Sequence, residues 1–147
     1  IKGFHHIAYR CRDAEETKKF YVDILGLKPA AALAFDKDPS GGDRPFMHLF
    51  FEMADGNFIA FFDAPNNAAD DQFNIKDGIE DYHFAFEVED MNEMNQFMDR
   101  LAEAKVPVAV STDFNPGTAP SFHLPLAMML HCGRKSANTW RLPGNPP

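Results

Sequence analysis

Two histidines open two similar stretches of this chain. His6-Ile-Ala-Tyr-Arg-Cys-Arg-Asp13 and His83-Phe-Ala-Phe-Glu-Val-Glu-Asp90 both read His-x-Ala-x-x-x-x-Asp, 77 residues apart. A neutral imidazole binds divalent metals and moves protons near neutral pH. One histidine in a strand carries little information. Two at equivalent positions of a repeated pattern, His6 and His83, predict a pair that serves one site. His48 lies in an apolar run and is the candidate for acid/base chemistry or for a hydrogen bond to a substrate. Glu52 follows it on the same face and could reach inward.

The elements that must position these residues repeat as well. Asp13-Ala-Glu-Glu16 and Asp90-Met-Asn-Glu93 are acidic versions of the box that caps a helix start. Thr17, Phe20, Tyr21, Ile24 and Leu25 form an i, i+3, i+4, i+7, i+8 stripe. Met94, Phe97, Met98, Leu101 and Ala102 repeat that stripe 77 positions later. The spacing predicts a helix with one apolar face in each unit, the first closed by Gly26 and the second ended by Pro107. An Asp55-Gly56 pair between the apolar runs 46–53 and 57–63 predicts a hairpin. A short extra strand is expected around Ala31 to Phe35, and residues 36–45 read as a turn-rich loop.

Side chains alternate across a strand, so each first strand has two faces. Ile7, Tyr9 and Cys11 suit the helix side, as do Phe84, Phe86 and Val88. His6 and His83 then fall on the opposite side, and His5, by alternation, points away from His6. Phe50, Phe58, Ala60 and Phe62 join Glu52 as candidate lining of an apolar cavity suited to a flat ring. The architecture is α+β, as two βαβββ units: unit one at about 1–65, a linker at 66–78 and unit two at about 79–140, with a second hairpin expected between about Phe122 and Trp140.

Composition narrows the function classes. The 147 residues carry 45 % apolar and 24 % charged residues, enough for one packed core, and a net charge of −8 that argues against nucleic acid as a partner. No apolar run is long enough for a membrane helix, and no secretory leader is visible. Cys11 and Cys132 give no disulfide framework, so the expected setting is cytoplasmic. The charge is unevenly spread, since the 34 residues after Asp113 contain no Asp or Glu. Residues 114–147 are atypical for that reason.

On the segments "FHHIAYRCRD", "TKKFYVDILGLKP", "LFFEMADGNFIAFFDAP" and "DYHFAFEVED", the sequence resembles the vicinal oxygen chelate superfamily of glyoxalases, extradiol dioxygenases and bleomycin- or fosfomycin-resistance proteins. The resemblance covers residues 1 to about 113. It implies paired βαβββ units with sheets curled around a central cavity, a divalent metal held by His6 and His83, a small-molecule substrate and a homodimer. It further implies a glyoxalase- or dioxygenase-type metalloenzyme, with Fe(II) as the metal of a dioxygenase. Family enzymes add a ligand from the closing strand of one or both units. The matching position in unit one is Ala60, which has no donor. Its counterpart in unit two falls at Ala137, in the acid-free tail. His123, His131 or Cys132 could substitute there, and a shifted reading frame through Met128-Met129 forces an Asp and permits a closing Glu. The alternative implied by the same resemblance is a metal-free binder of the bleomycin-resistance type, or a relative without activity.

Overall fold

A computed structural model describes residues 1–65, 73, 83–106, 108–111 and 120–125. The chain divides between Ile75 and Lys76 into two compact units.

The first unit runs β1 (His6–Cys11), α1 (Ala14–Lys18) continued by a π-helical turn (Lys19–Ile24), β2 (Lys28–Lys37), β3 (Asp43–Glu52) and β4 (Phe58–Asp63). Its sheet has the order β1-β4-β3-β2. β1 lies parallel to β4, while β3 is antiparallel to both β4 and β2. The Asp13 carboxylate accepts the Glu16 N–H at 2.8 Å and starts α1, as its spacing predicts. Asp63, at the end of β4, accepts the Ala14 N–H at 3.0 Å and ties the helix start to the sheet. Burial raises the Asp63 pKa from the usual carboxylate value.

The stripe from Thr17 to Leu25 does not follow one α-helix. At Leu25 the N–H donates to the Phe20 carbonyl, a wider turn than the α pattern. The wide turn lets the neighbours Phe20 and Tyr21 both bury completely, with Tyr21 stacked on Phe51 at 5.1 Å and against Phe61 at 4.8 Å. Gly26, at φ 76°, then turns the chain into β2.

The short strand expected at 31–35 is ten residues long, and the loop after it shrinks accordingly. Irregularities between Pro29 and Ala31 and between Phe35 and Lys37 let β2 continue past its proline and its polar end. Pro45 is tolerated in β3 because β4 pairs with that strand only from Met47 onward. The hairpin forms where Asp55-Gly56 predicts it: Gly56 takes φ 80° and the Asp55 carboxylate accepts the Asn57 N–H.

The second unit runs β5 (His83–Glu87), α2 (Met91–Glu103), β6 (Ala109–Ser111) and β7 (Ser121–Pro125), with the sheet order β5-β7-β6. Asp90 caps α2 by accepting the Glu93 N–H, and the Glu93 carboxylate accepts the Glu89 N–H in return. Met94 and Leu101 are buried, and Phe97 packs on Phe122 at 5.1 Å. The helix stops at Glu103, four residues short of Pro107, through Lys105 in the left-handed region at φ 57°. The Val106 N–H donates to the Leu101 carbonyl to close that turn. Of the second hairpin, β7 is described and pairs with β6; the rest of the expected segment, most of the 66–78 linker, His131, Cys132 and Ala137 lie outside the described residues.

Candidate functional site

The two faces of the first sheet differ in what they bury. On the helix side Cys11, Leu49, Phe51, Ile59 and Phe61 are all buried. Burial there pushes the Cys11 thiol up to about 11, which makes it a packing residue rather than a nucleophile. Ile7, assigned to that side with Tyr9 and Cys11, is 37 % exposed. Burial on this face is therefore concentrated toward the Cys11 end of β1.

The opposite, inner face is assembled by register. His6 pairs with Phe58, Ala8 with Ala60 and Arg10 with Phe62 across β1 and β4. Across β4 and β3, Phe58 meets Glu52, Ala60 meets Phe50 and Phe62 meets His48. On β2, Leu33 lies opposite His48 and Phe35 opposite Phe46. Phe46, His48, Phe50, Phe58 and Phe62 are half-buried, whereas Phe51 and Phe61 on the other face are closed off. An aromatic ring left half in solvent beside fully buried neighbours marks a surface available to a ligand.

The rings touch in sequence across the face. His48 stacks on Phe62 at 3.8 Å and 17° and lies 4.2 Å from Phe50. His6 meets Phe50 at 5.3 Å and His48 at 5.9 Å. Phe46 extends the run from Phe62 toward Phe35. Ala60, between Ala8 and Phe50 in register, is completely buried and carries no donor. Glu52, at the end of the face, is engaged by Lys28 Nζ at 2.8 Å, which raises the lysine pKa.

Of the residues expected in this unit, the structure brings His6, His48, Phe50, Phe58 and Phe62 together. His5 was placed pointing away, and this is a correction: its Nδ1 lies 2.7 Å from Nδ1 of His6, so one ring donates and the other accepts. Alternation fails there because β1 begins only at His6. Phe46 also escaped the sequence reading, and its pairing opposite Phe35 depends on the irregularities in β2.

His48 carries the unusual electrostatics. Its Nε2 is shielded from solvent and has no hydrogen-bond partner among the described residues. Burial first, and then the nearby His6, depress its pKa from 6.5. It is therefore neutral at physiological pH and can donate or accept according to its tautomer. Arg10, on the same face, donates to the Ala64 carbonyl at 3.3 Å.

In the second unit His83, Ala85 and Glu87 are exposed, while Phe86 packs against Phe122. β5 pairs directly and antiparallel with β7, with Ala85 opposite His123. Among the described residues, no group of three or more His, Cys, Asp or Glu could hold a metal ion.

The sequence matches the Glyoxalase/Bleomycin resistance protein/Dioxygenase superfamily over residues 3–119, and the chain belongs to that superfamily. Among solved structures it is similar to a glyoxalase family protein from Bacillus cereus, at 12% identity over 79% of this chain and 80% of that one, with a TM-score of 0.57. A glyoxylase/bleomycin resistance protein/dioxygenase domain from Frankia sp. EAN1pec matches at 16% identity over 85% and 91%, TM-score 0.56. The fosfomycin resistance protein FosX from Listeria monocytogenes, complexed with Mn(II) and 1S,2S-dihydroxypropylphosphonic acid, matches at 17% identity over 86% and 93%, TM-score 0.50. At these identities the likeness is one of fold. A stretch of 33 residues is 58% identical to imidazolonepropionase from Geobacillus kaustophilus. That stretch is 22% of this chain and only 8% of the enzyme. No helix among the described residues is long and apolar enough to cross a membrane.

Proposed function

We propose that this chain binds a flat small molecule on the inner face of its first sheet and needs no metal to do so. The observation that carries this reading is the contrast between the half-exposed rings of Phe46, Phe50, Phe58 and Phe62 and the buried rings behind them. Such a face offers stacking area with few polar demands. It corresponds to the sequestering, resistance-type members of the superfamily.

A metal-dependent enzyme is the second reading, with His6 and His83 as ligands and Fe(II) as the metal of a dioxygenase. The exposure of both imidazoles and the Mn(II) of the FosX structure favour it. The described residues do not complete a ligand set, because Ala60 offers no donor and Glu52 is engaged by Lys28. A homodimer belongs to the same family-based reading, and a cytoplasmic setting to the reading of Cys11 and Cys132.

Titration of the purified chain with toluene and naphthalene, followed by NMR, separates the two. Binding of equal strength in EDTA and in Mn(II) or Fe(II) supports the metal-free site. Binding that appears only with metal, and disappears on His6→Ala or His83→Ala, overturns it.

A further inference from the structure

We propose that two copies of this chain pair edge to edge through β2, antiparallel about a two-fold axis at Leu33. The proposal depends on neither the ring-binding nor the metal reading. β2 is a terminal strand of its sheet: β3 takes one edge, and no strand among the described residues takes the other. All ten of its residues are exposed, Leu33 at 47 % and Phe35 at 44 % among them. The outward N–H and C=O groups of such an edge are matched in a row by another extended strand. Edges that stay unpaired carry charges, prolines or bulges along their length. Here Lys28, Pro29, Asp36, Lys37 and both irregularities lie toward the ends of the strand. The five residues from Ala31 to Phe35 carry neither charge nor proline.

A second copy is the occupant this edge fits. The uncharged stretch is symmetric about Leu33, with two residues on each side before the ladder with β3 breaks. Antiparallel pairing on that centre sets Leu33 opposite Leu33 of the second copy and Phe35 opposite its Ala31, all on one face. This is the face on which Leu33 lies opposite His48 and Phe35 stacks on Phe46 at 4.9 Å. Pairing therefore covers the two large apolar side chains that β2 leaves in water. Each end of the pair then brings Lys28 of one copy toward Asp36 and Asp38 of the other. A slide of one residue sets Lys28 opposite Lys37 and turns the apolar residues to opposite faces. A slide of two, to a centre at Ala32, sets Pro29, which has no N–H, opposite Phe35. The Leu33 centre combines apolar contact in the middle with opposite charges at both ends. A two-fold contact consumes the β2 edge of each copy, so it closes as a dimer rather than growing.

The test is sedimentation velocity of the full chain from micromolar to millimolar concentration at about 0.15 M salt, where repulsion between two acidic copies is screened. Leu33→Lys sets two ammonium groups side by side at the axis and is expected to weaken dimerisation about tenfold or more. Its circular-dichroism spectrum and Tm should stay unchanged, because the residue is exposed. Leu33→Cys is expected to form a disulfide between copies under mild oxidation, since the axis sets that residue opposite itself, with the wild-type chain as the blank for its native thiols. Phe35→Cys should not crosslink, because its two copies lie about 13 Å apart along the strands, beyond the roughly 7 Å a disulfide spans. A dimer that Leu33→Lys leaves intact, or crosslinking that is equal at or absent from both positions, overturns the proposal and puts any contact elsewhere on the chain. A wild-type chain that stays monomeric at every concentration also overturns it and leaves the edge to a different partner.

Discussion

Within their described residues, the two units of this chain open alike and then pair their first strands differently. Each begins with a strand headed by histidine, followed 77 residues apart by the same Asp cap, with Asp13 bound to the Glu16 N–H and Asp90 to the Glu93 N–H. In the first unit β1 is joined by a parallel strand, β4, which places Ala60 opposite Ala8. In the second, β5 is joined directly by the antiparallel β7, which places His123 opposite Ala85. Ala85 is Ala8 displaced by the repeat spacing. The same register position is thus filled by the parallel β4 in one unit and by the antiparallel β7 in the other. A cap and a helix stripe are short-range and survive in both units, whereas the strand beside the first histidine is brought in from far along the chain.

The comparison can be broken most forcefully in the cores. Phe61→Ala in unit one and Phe122→Ala in unit two each remove a fully buried ring, and each should cost about 3–5 kcal/mol in urea denaturation. Phe62→Ala, on the half-exposed inner face, should cost well under half of that and weaken ring binding instead. Equal losses at Phe61 and Phe62 would mean that both faces are core.

The shared cap is worth less. Asp13→Ala and Asp90→Ala should each lower stability by about 1 kcal/mol, and a matched pair of values supports the equivalence of the two helix starts. Comparable to these, or smaller, are the effects at the two helix ends. Gly26→Ala forces a side chain into φ 76° and should destabilise by about 1 kcal/mol. Lys105→Gly relieves φ 57° and should stabilise by a few tenths to about 1 kcal/mol.

The pH dependence distinguishes the first unit through His48. Its folded pKa lies below 6.5, so the unfolded chain takes up the proton first. The contribution is fully present above pH 6.5 and is lost as pH falls toward the folded value, with stability declining in that window. His48→Phe should flatten that decline in denaturation curves recorded between pH 7.5 and 5.

Much of this was legible in the sequence because it is local. The Asp caps, the Asp55-Gly56 hairpin and the face shared by His48 and Glu52 within β3 follow from local turn chemistry and from periods of 3.6 and 2, whereas the meeting of His6 with that face depends on sheet register. The π-helical turn was hidden because a wide turn buries the adjacent Phe20 and Tyr21, which an α stripe also accommodates on paper. The approach of His5 to His6 was hidden because alternation holds only inside a strand. The acid-free tail has its own ambiguity, between a shifted reading frame and a segment of different origin. Alignment of residues 114–147 alone distinguishes the two: a frameshifted tail matches the superfamily only in the shifted frame, and a tail of different origin matches elsewhere in the present one.

The most direct test of the account is a residue-resolved NMR titration of the full chain with phenol in EDTA. The account predicts shifts confined to His48, Phe50, Phe58 and Phe62, with Phe51, Phe61 and Phe122 unmoved. Shifts at the buried set, or none until Mn(II) or Fe(II) is added, would contradict it.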